Sequence, residues 1–228
     1  KTWFKSSNNV DGQLRSISNF QNGKQIGSYK EYYRSSTIAL TCTFVNGKIH
    51  GESIRYFMGY GNNVAIKCNY WMGILDGKYE EFSSSGEVLK QCFYKNGRRH
   101  GEYKEWNKKR QLKLKCNYYN GGLDGQYFKY YYNGRLEESG KYKYGFQVGE
   151  WKYWHRNGQL KGEGRFSGGN GTDMGSTGIP RNKREGKWSF WYEDGEFQGL
   201  HNYEYGEISY FPTQEIFNNG VDIFLETR

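Results

Sequence analysis

Alanine is nearly missing from this chain: Ala39 and Ala65 are its only copies in 228 residues. Helix bundles draw heavily on alanine and leucine, so this scarcity argues against a helical fold. Proline occurs twice, at Pro180 and Pro212, so little interrupts a ladder of strands. No run approaches the ~18 apolar residues of a membrane-spanning helix. Histidine and cysteine number four each, which leaves few candidates for a metal centre or a reactive thiol. The chain opens at Lys1 rather than methionine, so a targeting segment removed upstream would leave no trace.

Aromatic residues and glycine are abundant. Phe, Trp and Tyr total 43 against 28 Leu, Ile and Val, and there are 32 glycines. Strands favour aromatic and β-branched residues, and tight turns favour glycine. The formal net charge is +9. That excess first concerns solubility, and it also admits an anionic partner.

A short unit recurs at a spacing of 24 residues wherever the register is clean: Gly77, Gly101, Gly125 and Gly149 open four consecutive units. Gly27, Gly51 and Gly186 open three more. Such a period means that each unit buries its apolar face only against its neighbours. Within the unit from Gly101, the segment from Leu112 to Tyr118 alternates apolar and polar residues, the period of a half-buried strand. The third residue of the unit is Tyr29, Tyr79, Tyr103, Tyr127, Trp151 or Trp188. The sixth is also aromatic, as in Trp106, Trp154 and Trp191. Asn-Gly and Asp-Gly pairs mark one turn inside the unit, as at Asn133-Gly134, and one between units, as at Asn96-Gly97. Both are expected to be two-residue hairpin turns. The chain therefore predicts an all-β fold, an elongated single-layer antiparallel meander of stacked β-hairpins.

The repeat domain spans residues 1–207 in about eight units, and 208–228 form a C-terminal cap in which Val221 to Leu225 is a candidate closing strand. The N-terminal stretch with Trp3, Phe4, Leu14 and Phe20 reads as a degenerate first unit. The Gly-, Ser- and Asn-rich insertion 168–185 reads as a long, mobile loop.

The string aromatic-x-Asn-Gly-x-x-His/Asp-Gly-x-Tyr/Trp recurs, as from Tyr94 to Tyr103 and Tyr118 to Tyr127; from Phe44 to Ser53 it lacks the final aromatic. This string resembles the MORN repeat, in particular the longer subtype of bacterial proteins described as antitoxins and of large DNA viruses. The resemblance covers about residues 1–207. It implies a twisted run of β-hairpins, non-catalytic in most members, that binds protein partners or anionic lipid.

Cys42, Cys68, Cys92 and Cys116 occupy one place in four successive units. Equivalent strands lie two steps apart, about 10 Å at ~4.8 Å per step. A disulfide needs Cα atoms within about 7 Å, and a zinc site is tighter still. The reading is a column of small buried thiols, which favours a reducing, cytoplasmic compartment, with peripheral membrane attachment as the alternative. Gly140 and Gly164 take the same place later, consistent with a demand for small size. His50 and His100 fall about 20 Å apart by the same step. No nucleophile, base and orienter stand at a recognisable spacing, so no enzyme, no metal and no cofactor is expected.

Two surfaces are candidates for binding. Trp151, Trp154, Trp188, Trp191 and Tyr192 would line an aromatic groove for a protein partner. Lys104, Lys108, Lys109, Arg110 and Lys113 form a basic patch suited to anionic lipid, with nucleic acid ranked below it. The expected function is a non-catalytic scaffold for protein–protein interaction. Anionic-surface binding and an antitoxin-like neutralising role are the alternatives. Exposed terminal strands would also allow self-association.

Overall fold

The computed structural model describes residues 15–174, 176–204 and 206–209. Among these residues there are 18 β-strands and no helix, in one open antiparallel sheet of meander order. The candidate closing strand near Val221 and the N-terminal Trp3, Phe4 and Leu14 lie outside the described residues. The residues group into two compact units, Lys1–Leu112 with Tyr118–Gly121 and Lys113–Asn117 with Gly122–Arg228.

In the first unit, Lys24–Tyr32 pairs with Ile38–Val45, and Ile74–Phe82 pairs with Val88–Lys95. Two strand lines are interrupted at a histidine. Lys48–Ile49 and Gly51–Tyr56 break at His50, and Arg98–Arg99 and Gly101–Trp106 break at His100. The second unit holds the hairpins Gly122–Tyr130 with Leu136–Lys143, Phe146–Trp154 with Leu160–Gly169, and Arg184–Trp191 with Phe197–Glu204.

The two edges of the sheet carry different turns. Between repeats the corners are Asn22-Gly23, Asn46-Gly47, Met72-Gly73, Asn96-Gly97, Asn120-Gly121 and Tyr144-Gly145, and both residues of every pair have positive φ. That is the two-residue type I′ hairpin, whose twist matches the strands. In the first unit the corner glycine N–H donates to the preceding repeat at four places, as from Gly73 to the Ile49 carbonyl at 2.7 Å and from Gly97 to that of Leu75 at 2.8 Å. Gly145 does the same in the second unit, donating to Leu123 at 2.8 Å.

Inside the repeats the turn differs from expectation. Tyr131 N–H donates to the Arg135 carbonyl and Gly134 N–H to that of Tyr131, with positive φ at Gly134 alone. This is a three-residue loop closed by a left-handed residue, a type I turn with a bulge. The same bonds recur at His155–Gln159 and Tyr192–Glu196. Asn133 does not supply positive φ there; its Oδ1 accepts from the Arg135 N–H. The bulge appears as a register shift before the sixth residue, as at Lys129/Tyr130 and Tyr153/Trp154.

The insertion is not the mobile loop its composition suggests. Met174 and Pro180 bridge, and Ser167 N–H donates to the Lys183 carbonyl at 3.0 Å. Ile179 is fully buried, and a Cβ on Gly162 would lie 2.7 Å from its Cδ1. The missing side chain at Gly162 is thus the socket for Ile179. Arg184 is buried as well and clamps the segment. Its Nε donates to the Pro180 carbonyl at 2.9 Å, Nη2 to that of Ile179 at 2.9 Å, and Nη1 to the Tyr203 hydroxyl at 2.7 Å. Its guanidinium also sits 4.6 Å from the Trp188 ring centre.

Candidate functional site

One column of large and small partners runs across the sheet. In the first unit Tyr29 faces Cys42, Ser53 faces Cys68 and Tyr79 faces Cys92. Tyr79 also faces Cys68, so it separates two successive thiols and sets them two strands apart. All four cysteines are buried, and none of them forms a disulfide. Burial, then the neighbouring Cys68 and Glu31, push the Cys42 thiol up to about 11. In the second unit Tyr127 faces Gly140 and Trp151 faces Gly164. A Cβ on Gly140 would lie 2.2 Å from Trp151, and one on Gly164 would lie 2.3 Å from Trp188. Tryptophan in the next repeat therefore removes the side chain that tyrosine leaves room for.

This column decides the fate of the expected aromatic groove. Trp151 and Trp188 are fully buried, packed with Tyr153, Phe166, Ile179, Phe190 and Tyr203. Their indole N–H groups donate to the Lys141 carbonyl at 3.3 Å and the Arg165 carbonyl at 3.0 Å. They are core and offer a partner nothing. Trp154 and Trp191 are half-buried, and Tyr192 is 51% exposed. Trp191 meets Phe197 edge-on at 5.8 Å, and Phe197 and Leu200 are also exposed. His155, next to Trp154 in sequence, forms a 2.9 Å hydrogen bond with the Trp191 carbonyl.

The turns between repeats carry aromatics that sequence reasoning passed over. In the first unit Trp71 is 63% exposed with His50 packed on its ring at 4.6 Å, and exposed Tyr119 has His100 at 5.2 Å. The signal was in the sequence, as Trp71 before Met72-Gly73 and Tyr119 before Asn120-Gly121.

The basic patch is partly neutralised. Lys104 pairs with Glu102 at 2.6 Å, and Arg110 pairs with Glu87 at 3.0 Å. Lys108 and Lys109 are exposed at the tip of a turn, and Lys113 is exposed on its strand. Arg99 is engaged elsewhere, 5.2 Å from the Tyr103 ring and 5.3 Å from that of Tyr118.

The docked insertion roofs a cleft of about 230 Å³ in the second unit, a feature no sequence motif announced. Lys129, Glu137 and Glu138 line one part of it, with the Lys129 ammonium 2.8 Å from Glu137 and 3.4 Å from Glu138. Burial raises the Glu138 carboxyl above its ordinary range. Gln147, Tyr153, Trp154 and Lys161 line the rest, under Gly171 and Gly178. No group of three or more His, Cys, Asp or Glu side chains suited to a metal ion occurs among the described residues.

Comparison with solved structures returns distant likenesses. A mutant of S. aureus TarM in complex with fondaparinux, alpha-GlcNAc-glycerol and UDP is 13% identical, with 48% of this chain and 21% of that chain covered and a TM-score of 0.30. ASR alternansucrase in complex with isomaltononaose is 14% identical, with 81% and 16% covered and a TM-score of 0.18. This chain thus spans about a fifth or less of the length of either protein. No curated protein sequence matches it. The model of the MORN repeat variant matches residues 75–96 and 147–167. The first match coincides with the hairpin of Ile74–Phe82 and Val88–Lys95, the second with that of Phe146–Trp154 and Leu160–Gly169. The chain thus carries MORN repeats of this variant, with one matched hairpin in each of its two units.

Proposed function

We propose that this protein is a non-catalytic scaffold that grips a protein partner through the apolar patch of Trp154, Trp191, Tyr192, Phe197 and Leu200. The repeat family is in general non-enzymatic and serves as an interaction module. The observation that carries the reading is a contrast in burial. Trp151 and Trp188 are consumed by the core, whereas Tyr192, Phe197 and Leu200 stay exposed beside half-buried Trp191. Contiguous exposed apolar surface on a folded protein marks contact sites, and Trp and Tyr make the strongest anchors. Trp154→Ala and Trp191→Ala are each expected to weaken partner binding by about 2 kcal/mol or more while leaving the melting curve nearly intact. The measurement is biolayer interferometry against a partner captured from the native source, at two salt concentrations. Unchanged affinity in both variants removes this patch from the account.

A second reading has its own support. Lys108 and Lys109 stand exposed at a turn, without the carboxylate partners that Lys104 and Arg110 have. If anionic surfaces are the target, vesicle binding collapses as salt rises and fails in the Lys108→Glu, Lys109→Glu double variant. Vesicle binding that survives the charge reversal disposes of it.

A further inference from the structure

Two polar groups of the roofed cleft stand out, Gln147 and Lys161. Gln147 is 1% exposed. Its Nε2 donates to the Tyr153 hydroxyl at 3.2 Å, while its buried Oε1 has no hydrogen-bond partner. A buried acceptor left unmatched costs about 1–3 kcal/mol, so a folded protein keeps one where something comes to fill it. Lys161 is half-buried, and no ion pair engages it among the described residues. Burial pulls its pKa down, and the charge of Glu137 opposes that shift. Lys129, by contrast, is already satisfied by Glu137 and Glu138.

Gly171 and Gly178 have positive φ, so the backbone itself resists a side chain at either place. A Cβ on Gly178 would lie 3.3 Å from the Lys161 Nζ, and one on Gly171 would lie 4.0 Å from the Gln147 Oε1. The two glycines stand where a larger residue would crowd these two atoms.

We propose that this cleft binds a small carboxylate that carries a neighbouring N–H or O–H donor, the chemistry shared by α-amino acids and α-hydroxy acids. The Lys161 ammonium takes the carboxylate, and the Gln147 Oε1 accepts from the donor. Tyr142, Tyr153 and Trp154 flank the remainder of the molecule. Glu137 and Glu138 are held by Lys129 and act as a fixed acidic wall that rejects dianions. The volume of about 230 Å³ lies below the ~300–1,000 Å³ typical of drug-sized sites, as a metabolite of this size requires. Trp154 belongs to both this cleft and the partner patch, whereas Lys161 and Gln147 belong to the cleft alone, so their variants test it separately.

The test is isothermal titration calorimetry on the full chain with the common α-amino acids, their α-hydroxy counterparts, and amines of matched shape that lack the carboxylate. Saturable heat is expected from at least one acid and none from the amines. The amino and hydroxy series then identify which source the site takes. Lys161→Met and Gln147→Leu are each expected to lose about tenfold or more in affinity, the effect of removing one charged or buried hydrogen bond. Gln147→Leu also strips the Tyr153 hydroxyl of its donor; should it fail to fold, Lys161→Met on the cleft wall is the deciding variant. No heat from any acid, equal binding of the amines, or full affinity in Lys161→Met overturns the proposal. So does a crystal grown at saturating acid that shows only water on the Gln147 Oε1.

Discussion

Tyr144 and Met72 stand at corners where four equivalent positions hold asparagine: Asn22, Asn46, Asn96 and Asn120. Their φ angles are 52° and 48°, left-handed values that asparagine tolerates and bulky residues resist. Tyr144 is 73% exposed, so no packing compensates its strain. Tyr144→Asn and Met72→Asn are each expected to stabilise the fold by about 0.5–1 kcal/mol, measured by urea denaturation. Arg184 is the opposite case. It is a buried cation with no carboxylate, held by two carbonyls, one hydroxyl and the rings of Trp188, Phe190 and Tyr203. Arg184→Ala removes all of these at once. It is expected to cost about 3 kcal/mol or more and to release residues 170–183 to fast amide exchange. Slow exchange there in the variant would show that Ile179 alone retains the segment.

At the scale of the hairpin, the large–small column makes a reciprocal prediction. Gly140→Cys alone drives a side chain into Trp151 and should cost about 1–3 kcal/mol or more. Adding Trp151→Tyr recreates the tyrosine–cysteine arrangement of the other repeats and should recover much of that loss. A double-mutant cycle by thermal melting measures the coupling; strictly additive losses would refute the size argument. This scale also shows what could be read from sequence. Alternation from Leu112 to Tyr118 and the corner pairs gave strands and edges, because side-chain period and left-handed φ are local properties. The need for a small residue at Gly140 was visible, but its cause was not, because Trp151 reaches it from the neighbouring strand. Docking of the insertion was hidden for the same reason. Ile179 is one apolar residue in a polar stretch, and its socket is an absent side chain at Gly162. The cleft, with Gln147 and Lys161, inherited that invisibility.

For the molecule as a whole, buried acids set the response to alkali. Burial raises the thiol of Cys42 from 9.0 to about 11 and lifts the phenols of Tyr79, Tyr103, Tyr127 and Tyr153 above their ordinary 10.0. The unfolded chain releases these protons first. Their contribution is complete below about pH 9 and is lost as pH rises through the folded values. His201 acts at the other end. Burial, then Arg184, lower its pKa below 6.5, so its contribution is present above that value and fades as pH falls. Denaturation midpoints should therefore be highest near neutral pH and decline on both sides; a flat profile from about pH 8 to pH 11 would contradict the buried-acid assignment.

Because the corner glycines from Gly47 to Gly145 bond to a carbonyl of the repeat before them, the natural step of change is one whole hairpin. Recombination that deletes the stretch from Gly77 to His100 would bring Gly101 to the place of Gly77, and every surviving corner would find an equivalent acceptor. A cut that is not a whole number of repeats would strand those N–H groups, so inheritance in this lineage is expected to count in units of two strands.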